Sequence, residues 1–270
     1  MIPDRWTLVD CHVHVHAQFD AVHLLDAAGR NFELAAGGIG AANWSGAILL
    51  TEMSGVDWFG KTSERISRGE VTLGRWRLTA AREPHVVVAR NADCGRQLSI
   101  VSGRQVETSE RIEVLALFTR AEPADGRPLD ATLADCHAAG ALVVLPWGVG
   151  KWLGSRGKLV DRVLTDTARA AVLAGDNGGR PWFWARPGVF SRLEAQGRAI
   201  LPGTDPLPLA DQATRVGSYG LAIARGFADD SLARDLKNCL LEGWNPAAMQ
   251  HFGRPERAAR FIINQLRLRL

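Results

Sequence analysis

Short apolar runs alternating with helix-like stretches constrain this chain more than any other feature. They fall at 7–14 (TLVDCHVH), 47–52 (AILLTE), 112–118 (IEVLALF), 141–146 (ALVVLP), 170–176 (AAVLAGD) and 199–205 (AILPGTD). A short apolar run without polar alternation suits a strand buried on both faces, as in a parallel sheet. Between the first two runs, Val22, Leu25, Ala28, Phe32 and Ala36 recur at helical spacing over 21–36, and a second helical stretch covers 159–168. Repeated strand–helix units predict an α/β architecture, closed into a barrel or open. One section departs from the rhythm. Residues 71–108 hold several short runs with turn signals at 90–95 (RNADCG) and 102–104 (SGR), and predict an antiparallel β meander, inserted in the main fold or contributing to it. No internal repeat or low-complexity linker is visible, so 1–270 reads as a single domain carrying that insertion.

Composition narrows the class. The chain has 270 residues, 46% hydrophobic and 23% charged, with 32 basic against 29 acidic side chains and a formal net charge of +3. Those values suit a globular protein and exclude a disordered tail, a collagen-like fibre or a small disulfide scaffold. No strongly basic run stands out, so no nucleic-acid partner is expected. Cys11, Cys94, Cys136 and Cys239 are far apart and form no CxxC pair, which predicts reduced thiols in a cytoplasmic protein. The opening MIPDRWTLVD lacks a signal-peptide pattern, and no apolar run reaches the ~18 residues of a membrane span. The final segment, ARFIINQLRLRL, reads as a last helix with its apolar side inward; lying on a membrane surface is the other reading.

The most informative stretch is Asp10-Cys11-His12-Val13-His14-Val15-His16. Side chains two apart on a strand share a face, so Asp10, His12 and His14 are expected together, with His16 near the strand end. Two imidazoles held so close can direct nitrogens at one ion, and zinc, manganese or iron accept such ligands. In parallel α/β folds the carboxyl ends of strands carry the site. Further ligands are expected from other strand ends: Asp205, held by a loop that Pro206 and Pro208 stiffen, together with Asp20, Glu52 and Asp176.

A second cluster follows two later strands. Lys151, Arg156 and Lys158 lie in PWGVGKWLGSRGK, and Asn177 and Arg180 lie in GDNGGRPW. Glycine-rich turns expose backbone N–H groups, and cations beside them favour an anion. Lys151, Arg156, Asn177 and Arg180 are therefore the expected substrate-binding set for a small anionic substrate. Trp147, Trp152, Trp182 and Trp184 flank the same loops and wall a pocket, or else fill the core or a homo-oligomer face. Neither the nucleotide-phosphate loop pattern nor a serine-hydrolase elbow is present.

At these residues the chain resembles the PHP family, the polymerase-and-histidinol-phosphatase type of metal-dependent phosphoesterase, and more broadly the amidohydrolase-like barrels. His12, His14 and Asp20, followed by the helix with Leu24-Leu25-Asp26-Ala27-Ala28, resemble the family's opening His-x-His, acid and helix. Thr51-Glu52-Met53 stands at the family's Thr-Asp-His, and Gly103-Arg104-Gln105 at its Gly-x-Glu. Leu145-Pro146-Trp147 takes the place of its His-Pro, and Thr204-Asp205-Pro206-Leu207 that of its Ser-Asp-x-His. Met53, Glu113, Trp147 and Gln105 occupy positions where the family places further metal ligands. The resemblance spans most of the chain and implies a distorted (β/α)7 TIM-like barrel. What remains of the family's cluster is a single site of His12, His14 and Asp205, with Glu52 beside it.

The expected function is a metal-dependent hydrolase, phosphoesterase by resemblance. A divalent ion at His12, His14 and Asp205, with Asp20 in reserve, lowers the pKa of bound water towards ~7. Glu52 or Asp176 takes the proton, and the cationic loops stabilise developing charge. Amide or lactone hydrolysis, which one metal can serve, is a further alternative. A different class of reading is a catalytically degenerate PHP-like module that binds a ligand or a protein.

Overall fold

A computed structural model describes residues 5–69, 71–169 and 171–269. The chain opens with β1 (Trp6–Val13), α1 (Ala21–Gly38), β2 (Trp44–Leu50) and α2 (Trp58–Ser67). Five strands follow without a helix: β3 (Val71–Leu73), β4 (Trp76–Ala80), β5 (Val86–Asn91), β6 (Gln97–Val101) and β7 (Gly103–Glu107). Next come β8 (Glu113–Leu117), α3 (Leu129–Ala138), β9 (Leu142–Pro146), α4 (Gly154–Thr165), β10 (Val172–Asn177), α5 (Gly188–Ala195) and β11 (Ile200–Gly203). A 3-10 helix (Ala210–Arg215), β12 (Gly220–Ile223), α6 (Leu232–Glu242), β13 (Met249–Phe252) and α7 (Ala258–Arg267) complete it. Ala170, the first residue of the strand expected over 170–176, lies outside the described residues.

These strands do not form the expected (β/α)7 barrel. They divide into an eight-stranded sheet, ordered β13-β12-β1-β2-β6-β5-β4-β3, and a five-stranded sheet, ordered β11-β10-β9-β8-β7. The reason is strand direction. A (β/α) barrel needs parallel neighbours joined by helical crossovers. Here β12 runs antiparallel to β1, and β8 runs antiparallel to both β7 and β9. The stretch 71–108 is antiparallel as expected, and it contributes to the sheets instead of being inserted into a barrel. β3–β6 form the outer half of the larger sheet through β6, which pairs parallel with β2, while β7 belongs to the other sheet.

The sheets touch at two seams, and a glycine permits each. At one, the Asp205 N–H donates to the His12 carbonyl at 2.8 Å. A Cβ on Gly203 would lie 2.4 Å from the Cβ of His12. At the other, the Glu52 N–H donates to the Gly103 carbonyl at 3.1 Å, and a Cβ on Gly103 would lie 2.4 Å from the Leu50 carbonyl oxygen. Both approaches are closer than any side chain allows.

Three apolar clusters follow from this layering. Leu25, Ala28, Phe32 and Ala36 of α1 pack on Leu8, Ile48 and Leu98 of the larger sheet. Val9, Cys11, Leu49, Leu115, Leu117, Val144, Leu173 and Leu201 pack together in a second cluster, drawn from strands of both sheets. Val114, Val143, Leu145 and Val172 pack against Leu133, Val163 and Phe190 of α3, α4 and α5. β8–β10 are thus buried on both faces, as their unbroken apolar runs predict. The four cysteines are unpaired. Among the described residues no helix is long and apolar enough to cross a membrane.

The last helix reverses expectation. The residue α7 buries is Asn264, while Ile262, Ile263 and Leu266 are exposed. Asn264 takes the inward place because polar partners wait there. Its amide donates to Glu256 at 3.2 Å, and its carbonyl lies 3.4 Å from Gln212 Nε2.

Candidate metal centre

β1 carries His12, and His14 directly follows its last residue, Val13. A register shift between Asp10 and Val13 interrupts its pairing with β2, so plain alternation does not hold across the three residues. Asp10 is fully buried and separated from the imidazoles. Its carboxylate accepts the Thr204 hydroxyl at 2.6 Å and the backbone N–H groups of Thr204 and Gly217 at 2.9 Å each. Burial pushes it up to about 6 against those hydrogen bonds. Asp10 therefore ties β1 to the loop after β11 rather than serving as a ligand.

His12 and His14 turn their Nε2 atoms towards each other, 3.1 Å apart. Asp205 Oδ1 lies 3.5 Å from the first nitrogen and 3.3 Å from the second. Metal–ligand bonds of about 2.0–2.1 Å place tetrahedral ligands about 3.3–3.4 Å apart, so this triangle fits one first-row divalent cation. The protonation states suit it as well. Burial lowers His12 to about 4, which leaves a neutral imidazole. Burial alone would raise Asp205, but His12, His14 and Asn177 together hold it well below the usual carboxylate range. A neutral imidazole and an ionised carboxylate are the forms that bind metal.

The surroundings fix these groups. The Asn177 amide donates to Asp205 Oδ2, leaving Oδ1 to face the imidazoles, and Asn177 Oδ1 in turn accepts the Gly179 N–H at 2.6 Å. Asp205 sits at φ +43°, a left-handed conformation costly for a non-glycine residue. Its own N–H on His12, and Thr204 bonded to Asp10, hold it there. Gln105 brings a neutral oxygen to 3.2 Å from His12 Nε2. His16 donates Nε2–H to the Pro206 carbonyl at 2.9 Å, so that nitrogen is spent on the loop.

Several expected site residues are elsewhere. Asp20 caps α1, accepting the His23 N–H at 2.8 Å, because an acid just before a helix satisfies a free N–H group. Glu52 accepts the N–H groups of Trp58 and Phe59 at 2.6 and 3.0 Å, at the start of α2, and faces Arg104 at 3.7 Å. Asp176 receives Arg180 Nε and Nη2 at 2.9 Å each and the Tyr219 hydroxyl at 2.9 Å. Burial and then Asp176 raise the Tyr219 hydroxyl far above its ordinary value, which keeps it a donor. Arg180 also reaches the Trp184 carbonyl, and Arg156 donates to the Gly150 carbonyl at 2.9 Å. Each of these side chains has a partner of its own away from the triad.

Lys151 and Asn177 do reach it. With Asp205, Glu113, Gly148, Leu207 and Phe261 they line a cavity of about 200 Å³ beside the triad. Lys151 Nζ lies 3.2 Å from Glu113 and 3.6 Å from Glu107. Burial and then Asp205 raise the Glu113 carboxyl, and Lys151 opposes the rise. The sequence marks Glu113 and Gln105 only as positions without the expected ligand; both face the site. Their signal was there, since each lies in a predicted strand run, but the inward face depends on the two sheets. Trp147, Trp152 and Trp184 line a different groove, with α4 and α5.

No protein-family model matches the chain, and no curated protein matches it. Among solved structures, it is similar to the crystal structure of PsfC from Pseudomonas syringae PB-5123, with a TM-score of 0.55 and 15% identity over 98% of each chain. At that identity the likeness is one of fold, and it runs nearly end to end.

Proposed function

We propose that the protein is a metal-dependent hydrolase with one divalent ion held by His12, His14 and Asp205, a reduced form of the PHP-like arrangement. The observation that carries this reading is the triangle of Nε2, Nε2 and Oδ1, with edges of 3.1, 3.3 and 3.5 Å. When bound, zinc, manganese or iron supplies Lewis acidity, polarising a phosphoryl or carbonyl oxygen and acidifying water. Asn177 keeps one oxygen of Asp205 turned to the imidazoles. Lys151 Nζ binds the substrate's anionic group from across the cavity, exchanging its contact with Glu113 for one with the ligand. The Glu113 carboxyl, raised by burial, is the group placed to hold and pass a proton. The cavity of about 200 Å³ suits a compact substrate or the head of a larger one.

A phosphate monoester is the first substrate class on this reading. Amide or lactone hydrolysis is the second, and the charge inventory favours it: Arg156 and Arg180 are both engaged, leaving Lys151 as the cation that lines the cavity. The test is elemental analysis of protein purified without chelator, followed by an assay with phosphomonoesters, amides and lactones in added manganese or zinc. A bound divalent ion that His12→Ala removes, with turnover on one class, supports the reading. A chain that binds no metal, hydrolyses nothing and folds indifferently to His12→Ala is instead a ligand- or protein-binding module.

A further inference from the structure

The outer face of α7 belongs to a patch that the hydrolase reading does not use. Ile262 and Ile263 are each 54% exposed and Leu266 58%, with Leu268 beyond them. The patch continues across the chain. Phe261 stacks edge-on against Phe183 at 6.3 Å, and Phe183 meets Trp182, itself 71% exposed. α7 packs inward through Asn264 and turns its apolar residues out, and a contiguous exposed apolar patch marks an interaction surface.

Charge identifies what covers them. Residues 254–269 carry Arg254, Arg257, Arg260, Arg267 and Arg269, against the buried Glu256. Arg260 and Arg267 reach Asp211. Among the described residues, Arg254, Arg257 and Arg269 have no acidic partner. A two-fold dimer would set this patch against its own copy and bring like charges together. An anionic surface pairs with the arginines while the isoleucines, leucine and aromatic rings enter the apolar layer beneath.

We propose that α7, with Trp182 and Phe183, docks the protein on an anionic lipid surface. Because Phe261 also lines the metal-site cavity, docking places that cavity beside the lipid headgroups. The inference stands on the patch alone and does not need the triad to bind metal.

The experiment is co-sedimentation of the full chain with vesicles of phosphatidylcholine, with or without phosphatidylglycerol. Binding is expected only to the anionic vesicles and is expected to fall with added salt. Ile262→Asp abolishes it. The double variant Arg257→Gln and Arg269→Gln weakens it about thirtyfold at low salt. Ile262 is half in solvent, so the variant keeps its fold, and circular dichroism checks this; the arginine variant carries the test independently. No binding at low salt, equal binding to neutral vesicles, or binding untouched by both variants overturns the proposal. A dimer in light scattering that Ile262→Asp dissociates, with no vesicle binding, overturns it in favour of a second copy.

Discussion

Asp176 and Asp205 stand at the carboxyl ends of the neighbouring parallel strands β10 and β11, and their environments are opposite. Asp176 has both oxygens filled, by a two-pronged Arg180 and by Tyr219, with 4% of its side chain exposed. Asp205 has one oxygen tied to Asn177 and the other turned to two imidazoles, and it faces a cavity. The first carboxylate is neutralised by the protein's own cation; the second, among the described residues, has no arginine or lysine on it and borders the cavity. Position at a strand end does not distinguish a candidate ligand from a staple. The count of satisfied lone pairs separates Asp176 and Asp10 from Asp205, while Asp20 and Glu52 are drawn off to the starts of α1 and α2.

That contrast can be broken or sharpened by mutation. The largest effect is expected from Asp176→Asn, which leaves Arg180 as an uncompensated buried charge. A loss of about 3–5 kcal/mol in urea denaturation is the expected result, and a change under 1 kcal/mol would remove the distinction. Asp205→Ala should do the reverse. Metal affinity, read by competition with a chromogenic chelator, falls by more than ~100-fold, the upper range for losing a group one shell further out. Its apo-protein stability should change much less than that of Asp176→Asn. Asn177→Ala frees one Asp205 oxygen without removing a ligand, so a fall of ~10–100-fold is expected in the same assay.

The smallest effect comes from the exposed counterpart of the Asp176 pair. Arg186 grips Glu194 with two hydrogen bonds, at 2.7 and 2.5 Å, in a pair about a third exposed. The bond from Arg186 lowers the Glu194 carboxyl below its ordinary 4.5. A lowered carboxyl stabilises the fold above that ordinary value and loses its contribution as the pH falls through the folded value. Glu194→Gln should therefore reduce stability by no more than about 1 kcal/mol at neutral pH. The difference from the parent should shrink as the pH drops below 4.5, as measured by denaturation across that range.

Much of the local structure was legible. The α1 stripe of Leu25, Ala28, Phe32 and Ala36 is buried as its spacing predicts, and the apolar runs at 112–118 and 141–146 become strands covered on both faces. Within the candidate site, His12, His14 and Asp205 were visible because two imidazoles two residues apart can share an ion and a carboxylate ends the last run. Glu113 and Gln105 were not. Each looked like a missing ligand, and its contribution depends on β8 running antiparallel to both β7 and β9 and on β7 meeting the end of β2 through a parallel bridge. The barrel expectation failed for the same reason, since apolar runs carry no mark of strand direction. The inward apolar face of α7 failed because hydrophobic periodicity assumes an apolar neighbour, whereas Glu256 and Gln212 offer polar partners to Asn264.

By itself, then, the sequence determined which segments become strands and helices, and which two imidazoles lie together, because backbone periodicity and side-chain hydrophobicity are local properties. Tertiary structure alone decided which acids remain open, which cations are already neutralised and which way the last helix faces. Those outcomes depend on hydrogen bonds and ion pairs between residues up to about two hundred positions apart, such as Asp10 with Thr204 and His12 with Asp205. Contacts of that range form only when two glycine-bearing seams bring separate sheets together, and no local pattern encodes them.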